Sequence, residues 1–225
     1  MSKKFIAHSC LCVNRQSLIL YSPELADLST LSLPTEVVQD LEIISQPSLE
    51  RILKNWVKQT QLVPKTLAIY FVEETYFFQD SQQTNISNED PEVQGFLATI
   101  PFSKISTKIF PIQGGSRIVA INQDLLQPIV TACEQAGFTV MVAAPSFAAG
   151  ITSENPFTQE LAKQSLKDQS ILESYNFIDE AELERKMQDE QSFLSVQING
   201  RLIGMIIFLL AMIGLLVYLL MTQNG

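Results

Sequence analysis

Two thiols and an imidazole lie close together near the N-terminus, and side chains of these types can hold a metal or carry out redox chemistry. Cys10 and Cys12 flank Leu11 in an apolar run, so a strand would place both thiols on one face. A metal site would need two further ligands, and only His8 is near. We therefore predict packed thiols. His8 is expected to be a surface or hydrogen-bonded side chain, because no serine and aspartate can be assigned to it.

Two other kinds of polar run could contribute to a site. The run 114–117, Gly-Gly-Ser-Arg, has residue types found in phosphate-binding loops, but no helix start follows it, and a hairpin turn is the better interpretation. The pairs Glu73-Glu74 and Glu89-Asp90 are interpreted as solvated loop charges, because chain spacing alone does not set carboxylates across a cleft. No catalytic, cofactor-binding or metal-binding residue is predicted, and no cofactor is expected.

The composition of the 225 residues narrows the class of protein. Apolar residues make up 46% of the chain, which excludes a disordered protein. Asp and Glu (24) exceed Lys and Arg (15), and the resulting charge of −9 argues against a nucleic-acid binder. One His and three Cys argue against a His-rich metal site and a disulfide framework, and unpaired thiols fit a reducing compartment.

An uncharged run of twenty residues extends from Leu202 to Met221. As a helix it would span about 30 Å, the thickness of a bilayer core, so we predict a single transmembrane helix with these ends. A buried core helix is the alternative. Arg201 precedes the run and the tail after it has no positive charge, so the positive-inside rule places the N-terminal body in the cytoplasm. The broken apolar run at the N-terminus lacks the core of a secretion signal, which indicates a tail anchor.

Small side chains lie near one face of this helix, at Gly200, Gly204 and Ala211. They permit close helix–helix contact, and a plain lipid-facing anchor is the alternative. Upstream of this helix, four apolar residues follow one another at spacings of 4, 7 and 4. Two interpretations are open for this stripe, a solvated connector and a weak dimeric coiled coil. The stripe is formed by Leu183, Met187, Leu194 and Ile198. Both features are compatible with a homodimer.

The chain divides by composition into three parts. A globular body covers residues 1–150, an acidic helical connector covers 151–200, and the anchor with its short tail covers 201–225. The boundary is placed near Gly150 because the acidic excess rises there and the apolar strand-like runs end. Pro156 is suited to the first turn of a connector helix.

Apolar periodicity in the body predicts the order β-β-α-β-α-β-β-α-β. The pattern includes helices over 48–59 and 124–135 and a buried strand over 66–72. The polar run 79–90 is predicted to be a loop. Helices that return to strands indicate an α/β or α+β fold around one core.

Five pieces of the body form a series: 31–34 (LSLP), 37–44 (VVQDLEII), 96–102 (FLATIPF), 118–122 (IVAIN) and 133–138 (CEQAGF). They read as a Leu-Pro turn, a short hairpin, a helix ending in Ile-Pro-Phe, a strand, and a helix ending in Ala-Gly-Phe. In order and spacing this series resembles the cytoplasmic actin-like proteins of type IV pilus and type II secretion assembly platforms, the PilM and GspL family.

The resemblance implies a partial actin-like (RNase H-like) lobe with an inserted ferredoxin-like subdomain, over about residues 4–150. Members that bind ATP begin with an Asp-x-Gly phosphate loop, whereas the corresponding run here, residues 6–12 (IAHSCLC), has neither Asp nor Gly. Backbone that approaches phosphate favours Gly, and magnesium favours a carboxylate. The second lobe, which would close over a nucleotide, is also missing. We therefore expect that the chain does not bind ATP.

Together these features predict a non-catalytic, membrane-anchored scaffold and not an enzyme. The resemblance implies the inner membrane as its location, and as partners the lipid bilayer and other inner-membrane pilus or secretion assembly proteins. A tail-anchored adaptor of an unrelated membrane complex is one alternative, and an enzyme with an unrecognised site is a second. A deep pocket with converging polar groups would favour the enzyme.

Overall fold

The computed structural model describes residues 7–167 and 174–178. The chain divides into two units, Met1–Asp179 and Glu180–Gly225, and every described residue belongs to the first. Several predictions lie outside the described residues: the helix from Leu202 to Met221, the contact face of Gly200, Gly204 and Ala211, and the apolar stripe that begins at Leu183. Within the described residues, no helix has both the length and the apolar character needed to cross a membrane.

Strands and helices alternate along the described chain. The strands are β1 (Ser9–Val13), β2 (Ser17–Tyr21), β3 (Ser29–Ser32), β4 (Val38–Gln39), β5 (Glu42–Ile43), β6 (Thr66–Phe71), β7 (Tyr76–Ser81), β8 (Ile105–Ile112), β9 (Gly115–Asn122) and β10 (Thr139–Pro145). The α-helices are α1 (Gln46–Thr60), α2 (Pro91–Leu97), α3 (Gln123–Gln135) and α4 (Gln159–Lys167). Short 3₁₀ helices follow β6 (Glu73–Thr75) and β10 (Ser146–Ala149).

The main sheet has five strands in the order β10-β6-β1-β2-β3. β1, β6 and β10 are parallel, while β2 and β3 extend the sheet as antiparallel neighbours of β1. Every residue of β6, the run TLAIYF, is buried, as expected for a parallel strand covered on both faces. The mixed α/β class is therefore confirmed, and the strand order is consistent with an actin-like lobe.

Helices α1 and α3 pack against each other. The buried face of α1 is formed by Leu49, Leu53, Trp56 and Val57, a spacing that returns to one side of a helix. Trp56 Nε1 donates a hydrogen bond to Ser29 Oγ at 2.9 Å and so ties α1 to the edge strand β3. Asn122 caps α3, because its side-chain oxygen accepts the N–H of Asp124. The predicted helices over 48–59 and 124–135 are thus found with slightly earlier starts.

A second sheet is inserted between β6 and α3. Its order is β7-β9-β8, with β9 antiparallel to both neighbours, so β7 and β8 are parallel strands joined through α2. This is a split βαβ arrangement, which supplies three of the four strands of a ferredoxin-like fold. Its core is formed by Val93, Phe96, Ile100, Ile118 and Ala120. A unit of three strands and one helix is therefore inserted at this position, and its assignment as ferredoxin-like stays a prediction.

Two sequence-based boundaries differ from the structure. Strand β7 continues to Ser81, into the run 79–90 for which the sequence predicts a loop. Its polar side chains bond to two sides: Asp80 accepts hydrogen bonds from Arg117 of β9, and Ser81 donates to Glu92 of α2. The predicted end of the body near Gly150 is also too early, because α4 packs against β1 and residues 174–178 bond to β10. The composition does not reveal this boundary, because the buried face of α4 consists of the small side chains Ala162 and Ser165. These residues do not form the large apolar stripe by which a packed helix is recognised in a sequence.

Candidate functional site

The three parallel strands of the main sheet end at one edge, and the residues that follow them lie together there. Asn14 follows β1, Val72 and the 3₁₀ helix Glu73–Thr75 follow β6, and Ser146 follows β10. In open α/β sheets this carboxyl edge is where ligands bind. This edge of the sheet is therefore a candidate site.

A cleft of about 350 Å³ opens at this edge. Its apolar lining is contributed by Ile19, Val72, Ile151, Pro156 and Phe157, and its polar lining by Asn14, Glu73, Glu74, Ser146, Thr152 and Ser153. A neighbouring cavity of about 580 Å³ reaches the β4–β5 hairpin and includes Arg15 and Asp40. Asn14 and Glu74 line both cavities, so the two form adjoining parts of one surface. The sequence interpretation of Glu73-Glu74 as loop charges missed this placement.

The turn between β1 and β2 consists of Asn14, Arg15 and Gln16. The resemblance placed the phosphate-loop position at residues 6–12. Most of that run lies in strand β1, which begins at Ser9, so the turn that follows β1 is the position to compare. The turn is closed by two bonds between Asn14 and Ser17, one between backbone groups at 2.9 Å and one from Asn14 Nδ2 to Ser17 Oγ at 3.1 Å. It contains neither Asp nor Gly, the residue types expected at a magnesium-nucleotide loop.

The thiols lie in the core and not in the cleft. Cys10 and Cys12 are fully buried in β1, and Cys133 is buried in α3. Burial raises the pKa of Cys12 to about 12 and raises the pKa of the other two thiols further, so all three are neutral at physiological pH. The thiols are thus packed side chains, and within residues 7–167 and 174–178 no cluster of three His, Cys, Asp or Glu side chains could hold a metal.

His8 is an exposed, hydrogen-bonded side chain. Its Nδ1 lies 2.6 Å from Thr66 Oγ1, and its backbone N–H donates to the Thr66 carbonyl at 3.0 Å. These contacts hold the chain just before β1 against the start of β6. The expectation of a satisfied polar group at this position agrees with the geometry.

The run 114–117 forms the β8–β9 hairpin and its first paired residues. Ile112 pairs with Gly115, which leaves Gln113 and Gly114 as a two-residue turn, and Gly114 has a φ of +86°. Arg117 then projects from β9 and donates two hydrogen bonds to Asp80, at 2.6 and 2.7 Å. The Arg117 guanidinium is engaged within the fold and does not form part of a phosphate loop.

The outer edge of the inserted sheet is the second exposed feature. Strand β7 pairs with β9 on one side, and no second strand pairs with it among the described residues. Phe77 is 38% exposed and Phe78 is 41% exposed, with the Phe77 ring against Phe102 and the Phe78 ring under Arg117. Unpaired strand edges with exposed apolar side chains are typical of surfaces that add a strand from another chain.

Comparison with known proteins gives structural neighbours and no sequence relatives. No family model matches the chain, and no curated protein matches it. One similar solved structure is the PilM–PilN type IV pilus biogenesis complex, at 15% identity and a TM-score of 0.47 over 64% of this chain. Another is the cytoplasmic domain of EpsL, an inner membrane component of the Vibrio cholerae type II secretion system, at 11% identity and a TM-score of 0.37 over 63%.

The matched region is about half of each neighbour, 49% of the first chain and 56% of the second. The two titles name a pilus system and a secretion system, the same two systems that the sequence resemblance named. The resemblance is confirmed to that extent.

Proposed function

We propose that this chain is a non-catalytic scaffold that binds partner proteins through the open edge of its inserted sheet. The observation that carries the proposal is the outer edge of β7, with which no second strand pairs among the described residues and which presents two exposed phenylalanine rings. An added strand would gain main-chain hydrogen bonds from this edge and apolar contacts from Phe77 and Phe78. Exposed edges of this kind are usually protected in monomeric proteins, so an unprotected one favours a binding role.

The partner class and the location follow from the amino-acid sequence. The run from Leu202 to Met221 supports a single membrane anchor with the body in the cytoplasm. The resemblance to pilus and secretion platform proteins supports inner-membrane assembly proteins as partners. We place the scaffold at the cytoplasmic face of that membrane. A tail-anchored adaptor of another complex would share the same anchor and edge and differ in its partners.

The turn at the end of β1 supports a role without ATP. Asn14, Arg15 and Gln16 offer neither a carboxylate for magnesium nor a glycine that would let backbone approach phosphate. We expect that titration of the full chain in mild detergent with Mg-ATP gives no heat of binding. Saturable binding would contradict this part of the proposal.

The test of the scaffold role is partner recovery from membranes. Full-length protein is purified in mild detergent from cells that assemble pili or a secretion system, and bound proteins are identified by mass spectrometry. The edge variant is Phe77→Lys, and the matched control is Val63→Lys, because Val63 is also an exposed apolar side chain (66%) but lies in the loop before β6. We expect platform proteins with the wild type and the control, and their loss with Phe77→Lys.

Two results would count against the proposal. If Phe77→Lys recovers the same partners in the same amounts, the β7 edge is not the docking surface. If the wild type recovers no platform protein from cells that contain such a machine, the pilus and secretion assignment loses its support and the adaptor hypothesis replaces it.

A further inference from the structure

The charged side chains of the inserted sheet are divided between its two edges. From Thr66 to Ser103 the chain contains six carboxylates and no Lys, Arg or His. They lie in β7 and in the segments on either side of it, at Glu73, Glu74, Asp80, Glu89, Asp90 and Glu92. The cations Lys104 and Lys108 lie instead before and within β8, the strand at the opposite edge. The open edge of β7 is therefore the acidic edge of this sheet.

The two carboxylates that bond to the β7 region differ in how their charge is balanced. Asp80 accepts two hydrogen bonds from Arg117 of β9, so its charge is balanced within the fold. Glu92, in the first turn of α2, accepts hydrogen bonds from three uncharged donors. These donors are Ser81 Oγ at 2.8 Å and the amide Nε2 atoms of Gln79 and Gln83, both at 3.3 Å. Within residues 7–167 and 174–178, no Lys or Arg forms an ion pair with Glu92, which thus keeps an unbalanced negative charge beside β7.

The contacts of β7 show which of its faces Glu92 covers. The side chains of Gln79 and Ser81 point towards α2, and Phe77 on the same face packs against Phe102. In an added strand, the residue opposite Gln79 would project its side chain to this same face. A Lys or Arg at that position would reach Glu92, and the residue two positions along the added strand would lie beside Phe77.

We propose that the strand added at β7 carries a Lys or Arg side chain that pairs with Glu92, and an apolar side chain two residues away that contacts Phe77. This inference rests on the scaffold role proposed above and specifies the chemistry of the partner at the same edge. Opposite charges on neighbouring strands attract and like charges repel, so Glu92 selects a basic strand and rejects an acidic one. Residues 151–200 of this chain carry ten acidic and four basic side chains, so the connector does not fit this description. The occupant is a basic segment of another protein.

The test measures how much partner protein the full chain recovers from membranes in mild detergent. Exposed ion pairs are screened by salt, so wild-type recovery should fall several-fold between about 50 and about 500 mM NaCl. Glu92→Gln removes the charge and keeps an oxygen that accepts a hydrogen bond from Ser81. At the lower salt concentration this variant should recover about fivefold less partner than the wild type, the upper range for a partly exposed pair. Its recovery should change little with salt.

A second variant neutralises Glu92 without altering it. Gln83 is exposed and donates to the Glu92 carboxylate, so Gln83→Lys places an ammonium group of this chain where the partner's cation would bind. We expect the same loss of recovery and of salt dependence as with Glu92→Gln. The matched controls are Glu42→Gln, at an exposed carboxylate of β5, and Gln127→Lys, at an exposed position of α3. Both controls should behave as the wild type does.

The outcomes separate the basic partner strand from the scaffold role. If Phe77→Lys abolishes recovery while Glu92→Gln and Gln83→Lys recover as much as the wild type at both salt concentrations, a strand docks at β7 and Glu92 does not select its charge. If Phe77→Lys leaves recovery unchanged, or the wild type recovers no partner, the docking surface itself is wrong and a basic strand at this edge is ruled out with it. Wild-type recovery that rises with salt would also contradict a basic partner strand.

Discussion

The main sheet and the inserted sheet differ in how far they are covered. In the main sheet, every residue of β1 and β6 is buried, including the two thiols. In the inserted sheet, α2 covers one face, while the edge strands β7 and β8 keep most of their residues half-buried or exposed. In the scaffold role that we propose, the main sheet is the buried body and the inserted sheet provides the surface for contacts.

Truncating one side chain in each sheet measures the difference directly. Phe71 is fully buried in β6, so Phe71→Ala should lower the free energy of unfolding by about 3–5 kcal/mol. Ile109 of β8 is half-buried, and Ile109→Ala should cost about 1 kcal/mol. Denaturant unfolding of the full chain, followed by fluorescence of its one Trp, gives both values. Equal costs would remove the distinction between the sheets.

Two glycines of the inserted sheet and its helix give a second, smaller contrast. A Cβ at Gly115 would lie 1.9 Å from the Ser81 carbonyl oxygen, so Gly115→Ala must push β7 away and should cost about 1–3 kcal/mol. A Cβ at Gly95 of α2 would meet nothing within 4 Å, so Gly95→Ala should stabilise the protein by about 0.5–1 kcal/mol. Thermal unfolding of both variants measures these shifts. A neutral Gly115→Ala would mean that β7 does not pack against the β8–β9 hairpin as described.

The main sheet was more predictable than the inserted one for a physical reason. The run TLAIYF is buried on both faces and therefore reads as a strand from composition alone. Strand β7, the run YFFQDS, exposes both Phe77 and Phe78, so it shows neither a continuous apolar run nor strict alternation. The short edge strand β3, the run STLS, was missed for a similar reason, since none of its four residues is buried.

The candidate site was hidden from sequence reasoning because tertiary contacts create it. Glu74 and Asn14 are far apart in the chain, and only the parallel pairing of β1 and β6 brings both to one edge. The contact between Asn176 and β10 was hidden in the same way, since Ala143 lies 33 residues away in the chain. One signal was available: the run Tyr-Asn-Phe-Ile carries two aromatic side chains in a stretch that is mostly polar.

Substitution of Asn122 should destabilise the junction between β9 and α3. Its Nδ2 donates to the Leu41 carbonyl at 2.9 Å, and its Oδ1 caps α3. Asn122→Ala loses both bonds and should cost about 1–2 kcal/mol, whereas Asn122→Asp keeps the cap and should cost less. Thermal unfolding separates the two variants. If Asn122→Asp is as unstable as Asn122→Ala, the cap contributes nothing to the free energy of unfolding, and the bond to Leu41 accounts for the whole loss.

The smallest expected effect is a pH dependence in the inserted sheet. The hydrogen bonds from Arg117 hold the pKa of the Asp80 carboxyl below its ordinary value. A carboxyl whose pKa is lower in the folded state stabilises the fold above its unfolded pKa, near about 3.9, and the contribution is lost as pH falls through the folded pKa. Because the pair is partly exposed, Asp80→Asn should cost less than about 1 kcal/mol at pH 7.

Paired denaturant unfolding at pH 7 and pH 3 checks the direction of this effect. The gap in stability between wild type and Asp80→Asn should shrink at pH 3, and Asp27→Asn, at an exposed carboxyl in the loop after β2, serves as the control. A gap that stays constant with pH would mean that the ion pair does not stabilise the sheet through the charge of Asp80.

The most direct test of the scaffold account is amide hydrogen exchange on the full chain, alone and as the complex recovered from membranes. We expect that β1 and β6 exchange slowly in both states. The amides among residues 77–80 that face away from β9 should exchange rapidly in the isolated chain and become protected in the complex. If these outward-facing amides exchange at the same rate in both states while protection appears elsewhere, the β7 edge is not where partners bind, and the proposed contact surface is wrong.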